Sequence, residues 1–270
     1  MEYRQYQPPR VLERYVRYFW SFDSFQNPNA TLQIKSFADK YPRLIFQNLD
    51  GFEALTNLSG DKLPACYLSG IDTKHTEAII NGNFSHFGVS FYPHGLAAFF
   101  GESPVALINQ MPDIRLICPA EIQSQLQRAT NHHARVSLIS KFLYERLRAM
   151  RQDQLINKIV HHHGLDRDIS LDELGRHYRI STRSLQRRFK AVVGISHKKY
   201  QRILRFEESL KQLANASFAD LGVVAYDLKF TDQSHFIKDF SAFSGMSPYA
   251  FAKRKSVGSE SSSFIYTKDA

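Results

Sequence analysis

Cysteine is scarce: the chain of 270 residues has two, Cys66 and Cys118. Two thiols make neither a disulfide framework nor a cysteine-rich zinc cluster, and both are expected to be packed inside. No apolar run approaches the ~20 residues that a membrane-crossing helix needs. The opening MEYRQYQPPRVLERYV has no secretory hydrophobic stretch or cleavage site. These absences predict a cytoplasmic, nucleoid-associated protein without membrane contact. Also missing are a phosphate-cradling glycine loop, a Gly-x-Ser-x-Gly elbow and a Cys-x-x-Cys pair, which removes common signatures of nucleotide, hydrolase and redox chemistry. The most informative lack is of one charge sign. From Arg176 to Arg205 there are ten Lys and Arg and no Asp or Glu.

What is present is globular, with 43% hydrophobic and 23% charged residues, and long enough for two ordinary domains. The net charge of +9 is uneven. Residues 1–150 carry 15 basic and 13 acidic side chains, while residues 151–270 carry 20 and 13, so +2 and +7. An anionic partner for the second half is expected.

The first hundred residues read as short β-branched and aromatic strands, TLQIKSF, YPRLIFQNL and FSHFGVSFY, punctuated by turns. Asn81-Gly82 suggests a hairpin between AII and FSHF. An amphipathic helix is expected from Arg10 to Phe19, and FYPHGLAAFFG should pass from strand into a short helix. From Pro119 the period becomes helical, in AEIQSQLQRA and ARVSLISKFLYERLRAM. In the latter, Val136, Ile139, Leu143 and Leu147, with Phe142 alongside, form a stripe that can face its own domain or a second copy. The domain boundary is expected near Arg148 to Asp153.

The second half repeats itself. At a shift of 51, Leu185 meets Phe236, Phe189 meets Phe240, Gly194 meets Gly245, Ser196 meets Ser247 and Tyr200 meets Phe251. Each copy reads as a short helix, a tight turn, a second helix and Gly-x-Ser, the organisation of a helix-turn-helix. Ser170 and Glu173 form a capping box that starts a helix at Leu171. Projected at 100° per residue, Leu185, Phe189 and Val192 share one quadrant of the first second-helix, with Arg183, Arg187 and Lys190 opposite and Gln186 beside them. In the other copy Phe236, Phe240 and Phe243 are buried, Thr231, Ser234 and Lys238 lie opposite, and His235 is beside them. Such donors suit base edges and phosphates in a major groove. Between the copies, Tyr200, Ile203, Leu204, Leu210 and Leu213 mark a long amphipathic helix. About 17 residues of it would span roughly 25 Å, a spacer that could set two recognition helices about one DNA turn apart, roughly 34 Å.

These residues resemble the AraC/XylS family of transcription regulators. The likeness covers the C-terminal ~100 residues. It rests on ISLDELGRHYRISTRSLQRRFKAVVGISHKKYQRILR and, in the second unit, on Phe230, Asp232-Gln233-Ser234, Phe236, Phe240, Gly245, Ser247-Pro248 and Phe251. The resemblance implies a monomeric or dimeric activator or repressor that works on double-stranded DNA with RNA polymerase. It implies base contacts from Arg183, Gln186 and Arg187, then from Gln233, Ser234, His235 and Lys238, with phosphate contacts from flanking basic residues and helix N-termini. Two departures stand out. Lys229 occupies a turn position where relatives have Gly; a left-handed backbone there costs on the order of 1 kcal/mol unless the turn changes geometry. Lys238 stands where Arg is common, keeping charge but losing the fork. In the first half, LERYVRYFWSF, Leu68–Gly70 and Gly88–Gly101 resemble the sensory domains of such regulators, which implies a cupin-like effector or dimerisation domain.

The expectation is therefore an α+β chain of two domains. Residues 1–150 are a β-rich, cupin-like domain ending in helices, residues 151–256 an all-α double helix-turn-helix, and residues 257–270 a disordered tail. Candidate effector-lining residues are Trp20, Phe46, Phe84 and Tyr92. No cofactor, metal or enzymatic role is expected: His161-His162-His163-Gly164 reads as a helix end, and His86 and His94 lack cupin metal spacing. The alternatives are a cupin-like enzyme or metal-binding domain joined to a DNA-binding module, and a regulator whose first domain only dimerises.

Overall fold

The computed structural model describes residues 1–25, 28–101, 103–117, 121–149, 152–162, 169–215, 221–253 and 264–268. The β-rich half supplies β1 (Glu2–Tyr6), β2 (Val16–Ser24), β3 (Thr31–Ser36), β4 (Arg43–Gln47), β5 (Thr56–Asn57), β6 (Cys66–Ser69), β7 (Thr76–Asn81) and β8 (Phe84–Phe91). Among the described residues two antiparallel sheets form, one ordered β1-β2-β8-β4-β6 and the other β5-β7-β3 plus a last strand, β9 (Phe264–Lys268).

Three expectations change here. The Arg10–Phe19 helix is a turn followed by β2: Leu12 and Val16 are buried, but the aromatic run continues as a strand paired with β8. Asn81-Gly82 does not close a hairpin. It is a corner, because β7 pairs with β3 and β5 in one sheet while β8 pairs with β2 and β4 in the other. Gly82 supplies a positive φ of 72° for that corner. The tail expected to be disordered from residue 257 contains β9, whose backbone pairs with β3 from Leu32↔Lys268 to Ser36↔Phe264.

The outer face of the five-stranded sheet is covered by α1 (Gly95–Phe100), α2 (Ile122–Arg128) and α3 (His132–Ala149). Leu44, Phe46, Phe87, Val89 and Phe91 pack there against Phe99, Leu126, Ile139 and Leu143. Val136, Phe142 and Leu147 of the α3 stripe are partly buried against the same core, so that stripe faces its own half. Cys66 is a buried thiol; Cys118 lies outside the described residues.

After α3 come α4 (Gln154–His162), α5 (Leu171–His177), α6 (Thr182–Val193), α7 (His197–Asn215), α8 (Leu221–Asp227), α9 (Gln233–Ser244) and α10 (Pro248–Ala252). One aromatic-rich core joins them, and Phe37, Ala38 and Ile71 of the β-rich half belong to it. Phe37 sits edge-on to Phe206 and Phe251, the Ala38 amide donates to the Phe243 carbonyl at 2.9 Å, and Lys40 pairs with Glu207. The two halves are thus docked through the strand-end loop at residues 37–40. His161 and His162 are the last residues of α4; the histidine and glycine after them lie outside the described residues.

Candidate functional site

The recognition elements are built twice from the same local rules. In the first unit the Ser170–Glu173 capping box is present: the Ser170 amide donates to Glu173 Oε2 at 2.7 Å and the Glu173 amide to Ser170 Oγ at 3.1 Å. The α5 end turns through Arg179 at φ 54°, closed by Tyr178 N–H to the Leu174 carbonyl and Ile180 N–H to the Gly175 carbonyl. In the second unit Lys229 has φ 55°, with the same bonds from Leu228 to Val224 and from Phe230 to Ala225. The turn therefore keeps its left-handed geometry with a lysine in it, and an arginine bears the same strain in the other copy.

Ser181 caps α6 by accepting the Ser184 amide at 3.3 Å, and Asp232 caps α9 by accepting the His235 amide at 2.8 Å. The acid that opens Asp-Gln-Ser is therefore a cap placed at the positive end of the helix. Gly194 and Gly245, at φ 97° and 71°, end the two helices, and Ser196 and Ser247 cap the helices that follow. The repeated Gly-x-Ser is a stop and a start.

Leu185 and Phe189 are buried as expected in α6, but the third anchor is Val193 and Val192 is half-buried. The helix runs one residue past Val192, so position 193 returns to the core side. In α9, Phe236, Phe240 and Phe243 are all buried. Arg183, Gln186, Arg187 and Lys190 are exposed together on one helix, and Gln233, Ser234 and Lys238 on the other. His235 is half-buried, edge-on to the Phe230 ring and 3.7 Å from Asp239 Oδ2.

The basic stretch divides in two. Arg188, Lys199, Arg202 and Arg205 are half-buried and bind the fold to itself. Arg188 makes a two-bond fork to Asp153 at 2.6 and 2.8 Å, and Arg202 makes one to Asp239 at 2.6 and 2.9 Å. Lys199 lies over the Phe243 ring, and Arg205 donates to the Lys229 carbonyl at 3.2 Å. The other six, Arg176, Arg179, Arg183, Arg187, Lys190 and Lys198, are exposed and make no ion pair with a described residue. These anchoring forks were missed in the sequence; the signal was an acid, Asp239, within a phenylalanine face.

A second site lies between the sheets, a cavity of about 710 Å³. Strand register explains its floor. One cross-strand row reads Tyr18, Ser90, Arg43, Ser69, and the next Trp20, Gly88, Ile45, Tyr67. Gly88 is required there, since a Cβ would fall 2.3 Å from the Trp20 indole. Of the four candidate lining residues, Trp20 is on the wall. Phe46 is not, because alternation turns it to the helix-covered face beside Ile45, which does line the cavity. Phe84 packs with Phe22, Leu32 and Ile80 where the sheets close, and Tyr92 lies beyond β8 against His94 and His161.

Polar groups on the wall are incompletely paired. Arg43 is bonded to Asp39, and Asp39 and Asp72 exchange two backbone hydrogen bonds at 2.9 and 3.1 Å. Ser69 Oγ reaches Asp72 Oδ2 at 3.4 Å, while Asp72 Oδ1, His86 Nε2 and His75 Nδ1 are buried without a hydrogen-bond partner. Burial pushes the Asp72 carboxyl up to about 7, against the pull of Arg43, and holds the His86 imidazole down at about 4. On its far side His75 touches the DNA-binding half: its ring atoms lie 2.6–2.8 Å from where a Cβ on Gly245 would be. Among the described residues no three His, Cys, Asp or Glu side chains converge as metal ligands, and no helix is long and apolar enough to cross a membrane.

Two capped, phenylalanine-anchored helix-turn-helix units with exposed cations outward define a DNA-binding protein. Residues 174–254 match the profile described as a helix-turn-helix domain, and residues 4–113 match a domain of unknown function, DUF6597. The HTH-type transcriptional activator AarP of Providencia stuartii is 30% identical over 107 residues, which are 39% of this chain and 78% of that protein. The chain belongs to the AraC/XylS family and is a DNA-binding transcription regulator. Among solved structures, ToxT from Vibrio cholerae is 10% identical over 87% of this chain and 97% of its own, with a TM-score of 0.42. A further ToxT structure, with an unsaturated fatty acid bound, is 12% identical over 87% and 93%, with a TM-score of 0.40. The C-terminal domain of AraT from Geobacillus stearothermophilus is 18% identical over 41% and 93%, with a TM-score of 0.34.

Proposed function

We propose that this regulator is switched by a small-molecule effector held between the two sheets of its first half. The observation that carries the reading is the cavity itself, which has the size of a ligand pocket and buried polar atoms left unpaired on its wall. In this reading residues 1–150 bind effector and dimerise, residues 151–256 bind DNA, and the protein works in the cytoplasm, without catalysis of its own. Arg183, Gln186 and Arg187 read bases from α6, and Gln233, Ser234, His235 and Lys238 from α9, with Lys190 on the backbone. The exposure of all but His235 supports these roles. The relative named as an activator supports activation; contact with RNA polymerase is part of the same proposal.

The test is a gel shift on the protein's own promoter region, titrated with salt. Preference for one site over random duplex should persist as salt rises; binding that stays sequence-blind at every salt concentration would sink the assignment of base-reading residues. A ligand thermal-shift screen on the same preparation tests the effector.

A further inference from the structure

The cavity wall is chemically lopsided. One face is aromatic, with Tyr3, Trp20 and Tyr67 on it, and Tyr3 and Trp20 are stacked at 6.3 Å between centroids. On the same sheet, next to Tyr67, the corner at Arg43 sets two carboxylates, Asp39 and Asp72, against one guanidinium; Lys74 and Glu77 also line the cavity, Glu77 being paired with Lys35. Arg43 is engaged by Asp39, and Asp72 is a second carboxylate beside the same guanidinium, almost fully buried, with one oxygen unpartnered. Burying a carboxylate oxygen without a donor is costly, which pushes the Asp72 carboxyl up to about 7; above that pH the ionised group demands a donor. The other wall histidine, His86, is held neutral by burial and adds no positive charge.

Resting on the effector reading above, we propose that the cavity takes an amphiphilic cation: an aromatic body against Trp20 and its neighbours, and an amine whose N–H donates to Asp72 Oδ1. Both halves of that ligand answer a feature of the wall. The aromatic face attracts flat rings and positive charge. The carboxylate, next to an already paired arginine, favours a donor and repels a second carboxylate. An anionic ligand at that corner would have to displace Asp39 from Arg43 and then face Asp72; the remaining wall lysine, Lys74, is exposed to solvent.

The chain reports its own occupancy, because Trp20 is its one tryptophan and lines the cavity. Three probes with the same phenylpropyl body separate charge from shape: 3-phenylpropylamine, 3-phenyl-1-propanol and 4-phenylbutyrate. Titrated at about pH 8.5, where the Asp72 carboxyl is ionised, against Trp20 emission in the full chain, the amine should bind about ten-fold or more tighter than the carboxylate, with the alcohol between. Asp72→Asn should erase the amine's advantage and keep the alcohol's affinity. A carboxylate that binds as well as the amine, or an advantage that survives Asp72→Asn, overturns the cation assignment and leaves the effector reading standing. If none of the three binds a protein with a normal melting curve, the effector reading falls and the cation assignment with it. Should Asp72→Asn not fold, the ranking of the three probes on the unaltered chain decides.

Discussion

In the first helix-turn-helix, Arg188 of α6 forks onto Asp153; fifty-one residues on, the equivalent position is Asp239, and there it is Arg202 that forks onto the helix. The cross-link is kept while its polarity is reversed. Other features vary in the same spirit. The cap is serine in one unit and aspartate in the other. The strained turn residues, Arg179 and Lys229, are 50 apart, while the caps, Ser181 and Asp232, are 51 apart, so the second loop is one residue longer. The buried anchors nevertheless keep their distance from the cap, Leu185 and Phe236 each four residues in. What is conserved between the units is a set of mechanical functions: cap, stop, buried ring and fork. The residue types performing them, and the groups shown outward, are free to differ. The first unit shows three cations and an amide, the second one lysine with an amide and a hydroxyl.

The severest way to break the comparison is to remove an anchor from each unit. Phe236→Ala and Phe189→Ala each delete a fully buried ring and should cost about 3–5 kcal/mol. Because one core joins both units, a single cooperative loss is expected by thermal melting in each case; two separate transitions would show that the units fold independently. Removing the forks should be unequal. Asp239 is buried and Asp153 is half-exposed, so Asp239→Ala should cost about 2–3 kcal/mol and Asp153→Ala about 1; equal urea midpoint shifts would contradict this. On the outward faces, Arg187→Ala should relax preference at one base pair by ~1–3 kcal/mol, whereas Lys190→Ala should weaken all sequences alike and lower the salt slope by about 1. Smallest of all, Lys229→Gly and Arg179→Gly relieve left-handed strain but add chain entropy, for a net gain of about 0.5 kcal/mol each in denaturant titration.

The second half was largely legible because its signals are local. A capping box, a Gly-x-Ser and a phenylalanine every three or four residues act within one or two turns of chain, so Ser170, Gly245 and Phe236 could be placed from spacing alone. The first half was less so. All eight residues of β8 are buried, one face under helices and the other toward the cavity. Alternation then marks no inside on β8, so Phe84 could not be told from a lining residue; on β4 Phe46 alternates with Arg43 and Ile45, but the sequence does not say which of the two faces lies under helices. Asn81-Gly82 encodes a sharp turn but not the sheet its next strand will join. The Arg188 and Arg202 forks depend on partners 35 and 37 residues away, and no local pattern announces them.

Gly245 is one of the residues that carry the family resemblance, and His75 fills the space beside it. The same imidazole is part of the cavity wall. Between whatever occupies the cavity and the turn that ends α9 there is thus a partition one aromatic ring deep, about 3.5 Å. A glycine usually justified by its backbone angle is here also a seat cut for a neighbour. An alanine at 245 would have to displace that ring, so a change at the turn of one compartment is felt at the wall of the other.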